Sequence, residues 1–194
     1  MDQLREEAAA WCRGKNGYLR LPVLFWFGYI LIKMLRDPSY CNLLWPLNLG
    51  FHELGHLLFS YFGEFLCMLG GTLLECLAPV FSVYYFYRKR DFFSSVLCFG
   101  WLSTAFFSVA RYAGDAREMS LPLVSLSLEP EIKHDWNYLL GHWGILQHDH
   151  AVGFLFRALA VGSMLVCLAA GFWLVFRMIT SRDGDTGPAP RSAF

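Results

Sequence analysis

The chain has 194 residues, 56% of them apolar and only 16% charged, with 16 basic and 16 acidic side chains in balance. That is too apolar and too charge-poor for an ordinary soluble domain, and it lacks both the basic surplus expected of a nucleic-acid partner and the acidic excess of a disordered chain. The expectation is an integral, multi-pass membrane protein whose surroundings are the lipid bilayer, with no nucleic acid.

Residues 1–20 mix Arg5, Glu6, Glu7, Arg13, Lys15 and Arg20 with an alanine run and read as a polar N-terminal segment. Leu21 to Leu35 is apolar except for Lys33, and Arg36-Asp-Pro-Ser-Tyr40 follows it in place of a small-residue cleavage site, so it reads as a first membrane helix. A second apolar stretch runs from about Leu47 to Leu69. The Gly70-Gly71 pair is expected to separate it from a third, Thr72 to Tyr87, in a tight hairpin; that third stretch contains Pro79 and ends at Arg88-Lys-Arg90. A fourth span, Phe92 to about Ala110, precedes a polar loop over 112–150 that is rich in Asp, Glu, His and Pro. The last run, Ala158 to Phe176, has 19 residues, enough to cover a hydrocarbon core of ~30 Å. Residues 179–194 read as a disordered tail.

These elements predict an all-α, polytopic membrane helix bundle of about five (four to six) transmembrane helices, a single domain over 21–178 with one long polar loop. With five spans the loops on the two sides carry eight Lys and Arg each, leaving out none of the 16, so the positive-inside rule does not orient the chain. The six cysteines contain no C-x-x-C pair and read as small buried hydrophobes.

The second apolar stretch holds His52-Glu-Leu-Gly-His56. Helical residues four apart share a face, so both imidazoles can be directed at one cation, with Glu53 beside them and near a metal-bound water. Zinc in such a site lowers the pKa of that water toward ~7 and polarises a carbonyl, while the glutamate accepts and returns the proton. A chance H-E-x-x-H arises in on the order of one shuffled sequence in a hundred of this composition. The setting adds weight, because ionisable groups at mid-bilayer each cost ~2.5 kcal/mol or more and a metal would account for three of them within five residues. Asn48, His52, His56, Ser60 and Glu64 follow at intervals of four and predict a polar stripe facing the bundle interior or water.

A catalytic zinc needs a third protein ligand. Asp135 is the first candidate, in the polar loop beside His134; it also opens a helix toward Leu146, where an Asp is a natural N-cap. Asp115 in the same loop and Glu75 on the next helix stand behind it, Glu75 on a small and polar face with Gly71, Ala78 and Ser82. His148-Asp-His150 reads as a solvated surface cluster.

Gly50-Phe-His52-Glu53-Leu-Gly55-His56 in an apolar helix, followed by a hairpin into a glycine-containing helix, resembles the site-2-protease-like intramembrane zinc metallopeptidases, especially small members without a PDZ domain. The resemblance covers residues 48 to 87. It implies a zinc metalloprotease with His52 and His56 as metal ligands, Glu53 as the base, a later aspartate as third ligand, and a membrane-spanning or membrane-adjacent peptide as substrate. The family's aspartate is followed by glycine in an apolar helix, whereas Asp135 is followed by Trp136. The other reading is a non-proteolytic membrane protein that keeps the metal site for structure or metal handling.

Overall fold

The computed structural model describes residues 2–37, 39–121 and 133–183. Residues 122–132 of the polar loop and 184–194 of the expected tail lie outside the described residues. Seven α-helices and three short 3-10 turns make up the ordered elements, with no strand among the described residues: α1 (Asp2–Cys12), α2 (Leu21–Arg36), α3 (Trp45–Phe59), α4 (Glu64–Arg88), α5 (Phe92–Gly114), α6 (Asp135–His142) and α7 (Asp149–Asp183). The all-α expectation is met. Four helices are long and apolar enough to cross a membrane, over Tyr18–Arg36, Glu64–Arg88, Phe92–Gly114 and Leu146–Ser181.

The second and third apolar stretches divide differently from the expectation. The turn falls at Gly63, whose φ of +93° only glycine adopts without strain, and Gly70-Gly71 lies inside α4. These two glycines serve packing. A Cβ on Gly55 would stand 2.2 Å from the Gly70 carbonyl oxygen, and one on Gly70 would stand 2.7 Å from Phe59 Cβ, so α3 and α4 touch backbone to backbone. Pro79 does not interrupt α4, which continues through it as a buried position. At 15 residues α3 spans roughly 22 Å, short of a full crossing.

The contacts of the helix ends give the path of the chain. At one end, Cys12 Sγ donates to the Leu174 carbonyl, Arg20 lies on Met178, and Arg90 pairs with Glu7. This end gathers α1, the start of α2, the end of α4 and the end of α7. At the other, Arg157 donates to the Leu35 carbonyl, Arg117 pairs with Asp149, and Lys133 pairs with Glu64. Here lie the end of α2, the start of α4, the end of α5, α6 and the start of α7. Helices α2, α4, α5 and α7 therefore run the full length in alternating directions. Helix α3 instead starts inside the bundle: Asn48 Nδ2 donates to Thr104 Oγ1 (3.2 Å) and Asn48 Oδ1 accepts from Trp101 Nε1 (2.8 Å), about 15 Å of helix short of Gly114. From there it rises to Gly63 at the second end.

Helix α5 is the central element, with 61% of its apolar window buried against 22% in the α2 window. Its Phe92 and Phe93 pack with Leu24, Leu174 and Met178, and its Phe107 packs with Ile30 and Met164. The outer helices leave Phe25, Ile32, Phe81, Tyr84, Leu165 and Phe176 exposed, apolar side chains that a bilayer would cover. Because the α3–α4 contact is backbone on backbone, Gly55→Ala is expected to destabilise the fold by ~1–3 kcal/mol. Gly50→Ala on the same helix, where an added Cβ meets nothing within 4 Å, should be neutral. Thermal unfolding of the two variants in detergent checks the contrast.

Candidate metal centre

Helix α3 turns the motif inward. His52 and Glu53 are each 8% exposed, and the donor atoms of His52, Glu53 and His56 lie within 4.8 Å of one another, so this His-Glu-His group is able to hold a metal ion. The orientation of both rings is fixed from behind. The Nδ1 of His56 lies 2.8 Å from the Cys67 carbonyl oxygen, which can only accept, so that nitrogen carries the proton. The Nδ1 of His52 lies 3.1 Å from Glu75 Oε2, which takes the same role when Glu75 is ionised. In the neutral rings each Nε2 is then left with a lone pair, the state of a histidine that binds metal.

Both Nε2 atoms meet the same oxygen. Asp135 Oδ2 lies 2.9 Å from His52 Nε2 and 3.1 Å from His56 Nε2. Two lone pairs and a carboxylate oxygen repel at such distances unless a proton or a metal ion sits among them. Donors around a tetrahedral zinc with bonds of ~2.0–2.2 Å are themselves roughly 3.3–3.5 Å apart, so the two nitrogen–oxygen distances, 2.9 and 3.1 Å, are somewhat shorter than that spacing. Gly71 supplies the room: a Cβ there would stand 2.7 Å from His52 Nε2 and 2.7 Å from His56 Nε2. The donor set and the bare glycine fit a small cation with preference for nitrogen and oxygen.

Asp135 reaches this place because it is not the helix cap. His134 caps α6, its Nδ1 accepting from the Asn137 N–H (3.2 Å), and Asp135 occupies the first helical position with its backbone N–H donating to the Tyr112 hydroxyl (3.1 Å). The carboxylate is thereby freed for the histidines. The other two candidates go elsewhere. Glu75, 3% exposed, contacts the outer nitrogen of His52 and stands behind the ring. Asp115 accepts from the Ser120 hydroxyl (2.6 Å) and from the backbone N–H groups of Ser120 and Leu121, folding the start of the loop on itself. Burial opposes ionisation of Asp115, but these donors outweigh it and hold its carboxyl below the usual range.

Among the remaining histidines, His142, His148 and His150 are exposed, as expected of a surface cluster, but Asp149 between the last two is fully buried and pairs with Arg117 (2.8 Å). Ser60 and Glu64 of the predicted stripe are exposed, beyond the end of α3, so the stripe is buried at Asn48 and His52 and half-buried at His56. A cavity of about 1480 Å³ borders the centre, with Trp45, Phe107 and Phe154 among its apolar walls and Glu53 and Asp135 on its polar side.

Sequence reasoning did not find the Cys67 carbonyl, Tyr112 or the steric role of Gly71. A backbone carbonyl carries no sequence signal. The glycine carries two, the Gly70-Gly71 pair that reads as a turn and the small face that Gly71 shares with Glu75, Ala78 and Ser82. No protein family, curated protein or solved structure matches this chain.

Loss of the group behind a metal-binding imidazole commonly lowers affinity by ~10–100-fold. Glu75→Ala is expected to do so here, and Glu75→Gln to recover part of the loss because its amide oxygen still accepts from Nδ1–H. Competition with a chromogenic chelator measures both.

Proposed function

We propose that this chain is a membrane-embedded zinc endopeptidase of the site-2-protease-like kind, with His52, His56 and Asp135 holding the metal and Glu53 as general base. The observation that carries the reading is the meeting of the two Nε2 atoms with Asp135 Oδ2 at a position kept open by Gly71. Zinc in that position supplies Lewis acidity toward water and toward a substrate carbonyl. The chain does the rest. Glu75 and the Cys67 carbonyl fix the tautomer and angle of the two rings, so little reorganisation is left for binding. Glu53 takes a proton from the attacking water and returns it to the leaving amine. Phe107, Phe154 and Trp45 offer an apolar bed beside the centre for a membrane-spanning or membrane-adjacent peptide.

Metal analysis tests the reading. Purified wild-type chain is expected to carry one equivalent of zinc and His56→Ala much less than one. Absence of zinc from carefully prepared wild type, in a chain that melts cooperatively, would sink it.

A further inference from the structure

The path of the chain changes the distribution of charge about the membrane. Because α3 does not cross, the Arg88-Lys89-Arg90 turn shares an end with α1, and Arg111, Arg117, Lys133 and Arg157 move to the other. Among the described residues the first end then carries nine that are basic, Arg5, Arg13, Lys15, Arg20, the 88–90 turn, Arg177 and Arg182, against six at the second. The even split that five spans would give is replaced by a bias.

Pairing widens that bias. At the second end Arg117 is matched by Asp149, Lys133 by Glu64, and Arg157 is spent on the Leu35 carbonyl, whereas at the first Arg90 is matched by Glu7 and Lys15 is spent on the Trp11 carbonyl. There α1 packs with Ala8 and Cys12 buried near Leu174 and Met178, while Lys15 stands 3.9 Å over the Trp11 ring and Arg20 beside it. A tryptophan flanked by basic side chains, on a helix packed against the close of α7, suits a segment at headgroup depth. A second hollow, between Arg13 of α1 and Arg177 of α7, faces the same way.

We infer that the end formed by α1, the 88–90 turn and the close of α7 is the cytoplasmic face, held against the anionic headgroups of that leaflet, and that the His52–His56–Asp135 centre opens on the opposite side. The centre belongs to the second end, since Asp135 bonds to Tyr112 in the last turn of α5. Basic residues are retained on the cytoplasmic side during insertion, and that leaflet is the anionic one. The inference concerns orientation and does not need the centre to be catalytic or even metal-bound.

Thiol accessibility in intact cells tests it. Cys41 is exposed at the second end, and Asn16→Cys adds a charge-neutral thiol on an exposed position of the first. With the full chain treated with a membrane-impermeant maleimide and its peptides resolved by mass spectrometry, Cys41 should be labelled at once. The Asn16→Cys thiol should label at least ten-fold less until the membrane is permeabilised. The reverse pattern, or equal labelling of both, overturns the assignment. Combined Arg88→Gln, Lys89→Gln and Arg90→Gln replacement, all on exposed positions, should move part of the population to the reversed pattern; an unchanged ratio would refute the claim that charge holds this face in place.

Discussion

Replacing Glu53 by glutamine is expected to leave zinc stoichiometry at the wild-type value and to lower peptide hydrolysis by roughly 10²–10⁴-fold, the range that loss of a positioned general base produces. Glutamine keeps the volume of the buried side chain and removes its ability to take a proton. The two imidazoles should not respond, because their angles are set by Glu75 and by the Cys67 carbonyl. The measurement pairs metal content with cleavage of a panel of membrane peptides. It also separates the protease from a protein that keeps the site for metal handling, since the latter would hold zinc in both forms and show no turnover in either.

The second large effect is expected at Asp135. Asp135→Ala removes an oxygen shared by both Nε2 atoms, and its loss of zinc affinity should go well beyond the ~10–100-fold of an outer partner such as Glu75. Asp115→Asn, at a carboxylate occupied by Ser120 and Leu121, should leave affinity unchanged. Chelator competition across the three variants ranks the candidates. Equal losses for Asp135→Ala and Asp115→Asn, with both chains folded, would refute the assignment of Asp135.

Much of the architecture could be read from apolar runs, because α2, α5 and α7 each contain one uninterrupted stretch with charged flanks. The exception is instructive. Leu47 to Leu69 looked continuous because two helices meet there with only Ser60-Tyr-Phe-Gly63 between them, and nothing in hydropathy marks a turn made by a single glycine. The Gly70-Gly71 pair drew attention instead, yet its glycines answer a different demand, the close approach of α3. Hydropathy reports what faces lipid, and neither steric contact nor backbone reversal changes it much.

The centre divided in the same way. His52, Glu53 and His56 were legible because a helix fixes their spacing. The third partner was not, since 83 residues separate His52 from Asp135 and only the folded path decides which carboxylate returns to the histidines. Glu75 illustrates how fine the distinction is: it does reach His52, but at Nδ1. Which of two nitrogens on one ring a carboxylate meets is invisible in sequence.

Gly71 offers a test that needs no protein at all. Any side chain in its place would press on both histidine nitrogens at once, so on the proposed reading the motif and this glycine are expected to be inherited together. A homologous chain that retains His-Glu-x-x-His but carries alanine or larger at the aligned position is expected to lack the proposed metal site while keeping its signature. The glycine is thus the more stringent marker of the two, and it can be checked in a newly sequenced chain by inspection.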